Sequence, residues 1–179
     1  MPRGPGGVGS FTCARHTHHM AMTWAARALT PQEHEAVQTD PRHAATLVED
    51  EPPDKRRGVD LDTAWHGIHW LLTGTAYESE TPHGQAIFGG EPIGADLGHG
   101  PAHLIDARTV KRIADALTDI SSAELVARVD VDAMVDADIY PGLWGELDVL
   151  DWLQPRYKEL RRFYRRAAKQ GMPVLAAIL

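Results

Sequence analysis

Apolar residues recur at helical spacing in some stretches of the chain and form short unbroken blocks in others, and this alternation predicts its elements. The most apolar helical stretch is Leu61–Thr73, where Leu61, Trp65, Ile68 and Leu72 share one face, with Asp60 or Asp62 as cap and Gly74 as stop. Val110, Ile113, Ala114 and Leu117 define a second helix behind Asp106. Ser121 and Glu124 form a capping box for a third, with Leu125, Val126 and Val129. Pro155 opens the strongest one, carrying Tyr157, Leu160, Tyr164 and Ala168 in line and closed by Gly171. Thr30-Pro31-Gln32-Glu33 and Asp40-Pro41 start two shorter helices, the second with Leu47 and Val48 inward. Asp130–Trp144 reads as a short helix broken at Ile139-Tyr140-Pro141, and Glu146–Leu153 as a short amphipathic segment.

The unbroken blocks Met20–Leu29, Ala86-Ile87-Phe88, Pro101–Ile105 and Val174–Leu179 read as strands. Between them, Glu49–Gly58, with two prolines and charges of both signs, reads as an exposed loop, and Gly89–Pro101 as a glycine-rich turn. Several helices around a small mixed β-sheet make an α+β fold. Its 179 residues suit a single compact domain. Met1–His19 stands apart: rich in glycine and proline and without a period, it reads as a disordered or extraneous tail, with the true start at Met20 or Met22 and the domain spanning 20–179.

Composition narrows the setting. A formal charge of −7 opposes a general nucleic-acid role. The single Cys13 excludes an intrachain disulfide framework and fits the cytoplasm. No apolar run reaches the roughly 18–20 residues of a membrane helix, so no membrane partner is expected. There is no Gly-x-Ser-x-Gly elbow, and the lone cysteine sits in the tail, which argues against acyl transfer through Ser or Cys.

Four groups remain as candidate chemistry. Asp62, His66 and His69 lie along one helix flank at i,i+4 and i,i+3 spacing, a set that suits zinc or a carboxylate-oriented base. They lack the His-Glu-x-x-His of metalloproteases, and a packed His69 with Asp62 at a helix start is the stronger reading. The tail histidines His16, His18 and His19 have no further ligands spaced to close a metal site. The turn 89–101 holds Gly89, Gly90, Glu91, Gly94, Asp96, Gly98 and His99. It is neither a phosphate loop nor a dinucleotide-binding turn, but its glycines suit close backbone approach to a ligand. Asp130, Asp132, Asp136 and Asp138 do not fit a calcium loop, because Val135 and Pro141 stand where Gly and Glu are needed, so they read as a solvated face. Finally, Lys158, Arg162, Arg165 and Lys169, flanked by Arg161 and Arg166, form a basic stripe without interleaved aromatics.

Three functions follow. The first is a small-ligand or protein binding module using the turn 89–101, with Trp65 and Tyr140 contributing. The second is a hydrolase or transferase with His69 or His99 as base and Glu91 or Asp96 as its carboxylate, which requires those groups within about 3 Å or one water. The third is an interaction protein using the basic helix 156–169. The residues assign no cofactor, no particular small molecule or protein partner, and no oligomeric state.

The ordered run Trp65-His66-Gly67-Ile68-His69-Trp70-Leu71-Leu72-Thr73-Gly74, then Gly89-Gly90-Glu91-Pro92-Ile93-Gly94 and Leu97-Gly98-His99-Gly100-Pro101-Ala102, resembles the YfbM-like family. Ile139-Tyr140-Pro141 with Trp144 and the closing helix-Gly171-strand extend the resemblance from about Met20 to the C-terminus. These are small bacterial proteins classed as a domain of unknown function. The resemblance implies a compact α+β fold and a start near Met20, and it carries no activity, cofactor or site.

Overall fold

A computed structural model describes residues 21–145 and 148–179. The predicted tail, with Cys13, His16, His18 and His19, lies outside the described residues, as does the expected start at Met20.

The elements run β1 (Trp24–Ala28), α1 (Pro31–Thr39), α2 (His43–Glu49), a 3₁₀ turn (Lys55–Arg57), β2 (Gly58–Asp62), α3 (Trp65–Thr73) and α4 (Pro82–Phe88). They continue with β3 (Glu91–Asp96), β4 (Pro101–Ile105), α5 (Ala107–Thr118), α6 (Ser122–Val126), α7 (Val131–Asp136), α8 (Val149–Lys169) and β5 (Val174–Ile178). Three of the helix starts encoded by local chemistry form as expected, whereas Asp40 ends α1 and pairs with Arg42, and α2 begins after Arg42 without a side-chain cap. Thr30 and Glu33 close a reciprocal capping box, as do Ser121 and Glu124. Asp106 caps α5, and Gly74 ends α3 in the left-handed region at φ 73°.

The fold is α+β, but its sheet is antiparallel throughout rather than mixed, in the order β2-β1-β5-β4-β3. The reason lies in the long helical excursion between β4 and β5. It returns the chain to the end of the sheet that it left, so that Val174 lies opposite Ile105 and β5 runs back against β4. Helices cover both faces. Trp24, Ala26, Ile105, Val174 and Ala176 join the main core with residues of α3, α4, α5, α6 and α8. Leu29, Ala102, Leu175 and Ala177 pack with Val37, Ala44 and Val48 of α1 and α2 on the other face.

Four expected boundaries are corrected. Leu61 and Asp62 belong to strand β2, whose alternation places Leu61 inward and Asp60 outward, so neither Asp60 nor Asp62 caps α3. Ala86-Ile87-Phe88 is the last turn of α4, not a strand, because Thr81 and Pro82 start a helix there. Gly89–Pro101 is not a free turn; most of it is the edge strand β3 and its hairpin to β4. Helix α8 begins at Val149 under an Asp148 cap and runs through Pro155, which faces solvent in the second turn. The loop 49–58 is also less exposed than its charge suggests, since Pro52 is buried and Arg57 turns inward to Glu33.

Candidate functional site

Asp62, His66 and His69 do not converge. Asp62 ends β2 at φ 53° and its carboxylate takes a hydrogen bond from Arg156 at 3.2 Å. The Nδ1 of His66 accepts from the Tyr140 N–H at 3.0 Å, which fixes the proton on Nε2, and Nε2 donates to the Ala76 carbonyl at 3.0 Å. His69 is fully buried; its Nε2 bonds the Tyr77 carbonyl at 2.8 Å and its Nδ1 has no partner. Both imidazoles are therefore backbone clamps for the loop after α3, and the i,i+4 relation of Asp62 to His66 fails because Asp62 is not on the helix. Among the described residues no group of three His, Cys, Asp or Glu side chains could hold a metal ion.

Burial pushes both imidazoles below the ordinary 6.5, and their backbone hydrogen bonds do not offset it. The unfolded chain then takes up protons near pH 6.5 that the folded protein declines, so stability falls as the pH drops below that value. NMR titration of the two rings is expected to give midpoints under 6.5; a midpoint at or above it would mean that the imidazolium is accommodated.

Trp65 and Tyr140, expected to contribute to a ligand site, instead hold the start of β1. The Trp65 indole donates to the Met22 carbonyl and the Met22 N–H donates to the Tyr140 hydroxyl, each at 3.0 Å. Trp65 stacks on His66 with centroids 4.9 Å apart and meets Phe88 edge-on.

The glycine-rich segment separates into two places. Its far end is the hairpin tip, where the Asp96 carboxylate accepts from the N–H groups of Gly98 and Gly100 and His99 is exposed. Gly94, at φ 84°, is required by close approach, since a Cβ there would lie 2.8 Å from the Pro41 carbonyl oxygen. Asp96, His99, Gly94 and Gly98 are thus structural or solvent-facing. His69 does not reach across to them, and none of the expected His–carboxylate pairs forms a hydrogen bond among the described residues.

The near end is different. Gly89, Gly90 and Glu91 line a cleft of about 870 Å³ where β4 passes into α5. Sequence reasoning did not select the residues that join them there: Gln85, His103 and Arg112. Arg112 meets only neutral oxygens, Thr109 Oγ1 at 3.2 Å and Gln85 Oε1 at 3.5 Å, and makes no ion pair among the described residues. Glu91 is exposed and likewise has no cationic partner there. His103, on β4, carries a buried Nδ1 without a hydrogen-bond partner. Asp106, in the same cleft, is already committed: the Thr109 hydroxyl and the N–H groups of Thr109 and Arg108 bind its carboxylate and, with the charge of Arg112 nearby, hold it below the usual range despite burial.

The basic helix is divided in the same way. Arg156 reaches Asp62 and lies over the Trp152 ring, and Arg161 donates to the Leu117 and Thr118 carbonyls at the end of α5. Lys158, Arg162, Arg165 and Lys169 stay exposed and without ion pairs among the described residues.

The sequence model of the family described as "Domain of unknown function (DUF1877)" matches residues 20–177. No curated protein matches the chain. Among solved structures, the fold is similar to that of the protein of unknown function YfbM from Escherichia coli, at 22% identity and a TM-score of 0.65, covering 88% of this chain and 99% of that one. Among the described residues no helix is long and apolar enough to cross a membrane.

Proposed function

The chain belongs to the DUF1877 family, a domain family without an assigned function, and we propose that it is a binding module for a small zwitterionic molecule of the amino-acid or short-peptide kind. The cleft at Gly89–Glu91 is the site. One observation carries the reading: Arg112 and Glu91 line one concave cleft, and neither has an ionic partner among the described residues. A ligand carboxylate suits the guanidinium of Arg112, which can bind it in two-pronged fashion, and a ligand ammonium suits Glu91. The exposed backbone at Gly90 and the His103 ring complete the lining beside Glu91. The single cysteine supports a cytoplasmic setting.

The test is a thermal-shift and calorimetric screen of amino acids and dipeptides, alongside native mass spectrometry of gently purified protein. At least one such compound is expected to bind, with affinity reduced about tenfold, or 1.4 kcal/mol, by either Glu91→Gln or Arg112→Gln. Binding that survives both substitutions, or no binding across the screen, overturns the proposal.

A further inference from the structure

A second cleft, of about 660 Å³, runs along the outer edge of β2 between the Lys55–Arg57 turn and α8. Its α8 side is unusually cationic. Arg166 Nε donates to the Arg56 carbonyl at 3.0 Å, which seats the two residues against each other. Arg162 stands one helical turn before Arg166 and Arg165 stands beside it. Arg56 gives its Nε and one terminal nitrogen to Asp54, and its other terminal nitrogen makes no hydrogen bond among the described residues. Arg162 and Arg166 have no carboxylate partner there. Burial, and then the charges of Arg56, Arg162 and Arg165, weaken the hold of Arg166 on its proton, and Asp54 only partly offsets them.

Acidic residues also line this cleft, most of them on the wall opposite α8. Glu51 is tied to Lys55 at 3.0 Å, and Glu49, Asp50 and Asp60 belong to the face of the sheet covered by α2. Asp54 and Glu159 are the carboxylates on the α8 side. On the α8 side the lining guanidiniums are Arg56, Arg162 and Arg166, against Glu159 and the Asp54 that pairs with Arg56, which leaves one positive charge in excess on a protein whose formal net charge is −7.

We propose that this cleft binds the phosphate group of a small phosphorylated molecule, held by Arg162 and Arg166 with Arg56 completing the grip. Planar guanidiniums match phosphate oxygens two at a time. The concave shape suits a small ligand better than an extended polymer. Nucleic acid is disfavoured twice: Tyr157 and Tyr164 are fully buried and offer no stacking platform, and the net negative charge repels a long polyanion.

The experiment titrates pyrophosphate into the full chain by calorimetry, against chloride at matched ionic strength, with a single-stranded oligonucleotide as a second ligand. Pyrophosphate is expected to bind and to raise the melting temperature, and Arg162→Glu is expected to weaken it at least tenfold. Arg162 is exposed, so the far-ultraviolet circular dichroism should not change. Lys158→Glu, on the same helix but not lining the cleft, is expected to change the affinity less than twofold. Pyrophosphate no better than chloride, or equal losses in the two variants, overturns the site. Oligonucleotide binding that tightens with length would replace the small phosphate by nucleic acid.

Discussion

Glu33→Gln is expected to lower the free energy of unfolding at pH 7 by about 3–5 kcal/mol. Arg27 sits on β1 facing α2 and is only 6% exposed. Its guanidinium donates to the Leu47 and Asp50 carbonyls at 3.3 Å and to the Glu33 carboxylate, while its Nε has no partner. Arg57 reaches the same carboxylate at 2.5 Å and the Ala28 carbonyl at 2.9 Å. One carboxylate thus pairs with two sheltered guanidiniums and also closes the capping box of α1. Removing its charge leaves two like charges facing each other away from water, which costs more than the pair itself contributes. Burial raises the Glu33 carboxyl, but hydrogen bonds from Arg57, the Thr30 N–H and Arg27, together with the Arg27 charge, outweigh it and hold the group at about 2. Since the folded value lies below the ordinary 4.5, the contribution is complete above that pH and is lost as the pH falls through 2. A displacement of this size corresponds to about 3 kcal/mol. Urea titrations of wild type and variant should therefore differ most at pH 7 and converge toward pH 2.5. An equal gap at both would mean that the charge of Glu33 is not what matters.

What was legible in the sequence is what local chemistry decides. Thr30, Asp106 and Ser121 each satisfy the first N–H groups of their own helix, so the helix start is written within four residues. Thr81-Pro82 carries the same signal, which the strand-like block Ala86-Ile87-Phe88 masks. That block can end a helix because distant side chains satisfy its carbonyls: Tyr164 donates to Ala86 at 2.8 Å and the Trp24 indole to Ile87 at 3.0 Å. Neither partner is visible from within the segment. Strand β2 escaped for a related reason. Its five residues lie next to a strong helical pattern, and Leu61 happens to be in phase with Trp65 and Ile68. That accident of phase produced the Asp62–His66–His69 candidate.

The site divides along the same line. Gly89 is buried where a Cβ would meet the Gln85 carbonyl, while Gly90 and Glu91 are exposed beside a cleft. Arg112 and His103 reach it only because α5 leaves the end of β4 at that corner, a consequence of sheet order that no local pattern encodes. Farther along, Gly94 answers to the close approach of Pro41, and Gly98 to the hairpin tip. Glycine density points to a stretch of chain, and tertiary placement decides which side chains meet it there.

Gly67→Ala is expected to destabilise the protein by about 2–3 kcal/mol, against the roughly 1 kcal/mol gain that alanine brings to a helix interior. A Cβ at position 67 would lie 2.2 Å from the Trp144 ring carbon Cη2 and within 3.0 Å of two more ring atoms. The indole cannot easily yield. Trp144 is 1% exposed, its Nε1 donates to the Ile139 carbonyl at 2.6 Å, and its ring packs on Trp152 with centroids 5.5 Å apart. One residue before Gly67, His66 holds the Tyr140 N–H. Helix α3 therefore grips the 139–144 segment at two adjacent points, one polar and one steric, and a shift that relieves the clash must also stretch the hydrogen bond. The loss should appear as a lower urea midpoint and a weakened tryptophan signal in the near-ultraviolet circular dichroism. Trp144→Phe removes the part of the ring that would clash, so the double variant should be less destabilised than the sum of the two singles by at least about 1 kcal/mol. If Gly67→Ala instead stabilises the protein, the indole has room to move and this grip is not what holds the segment to α3.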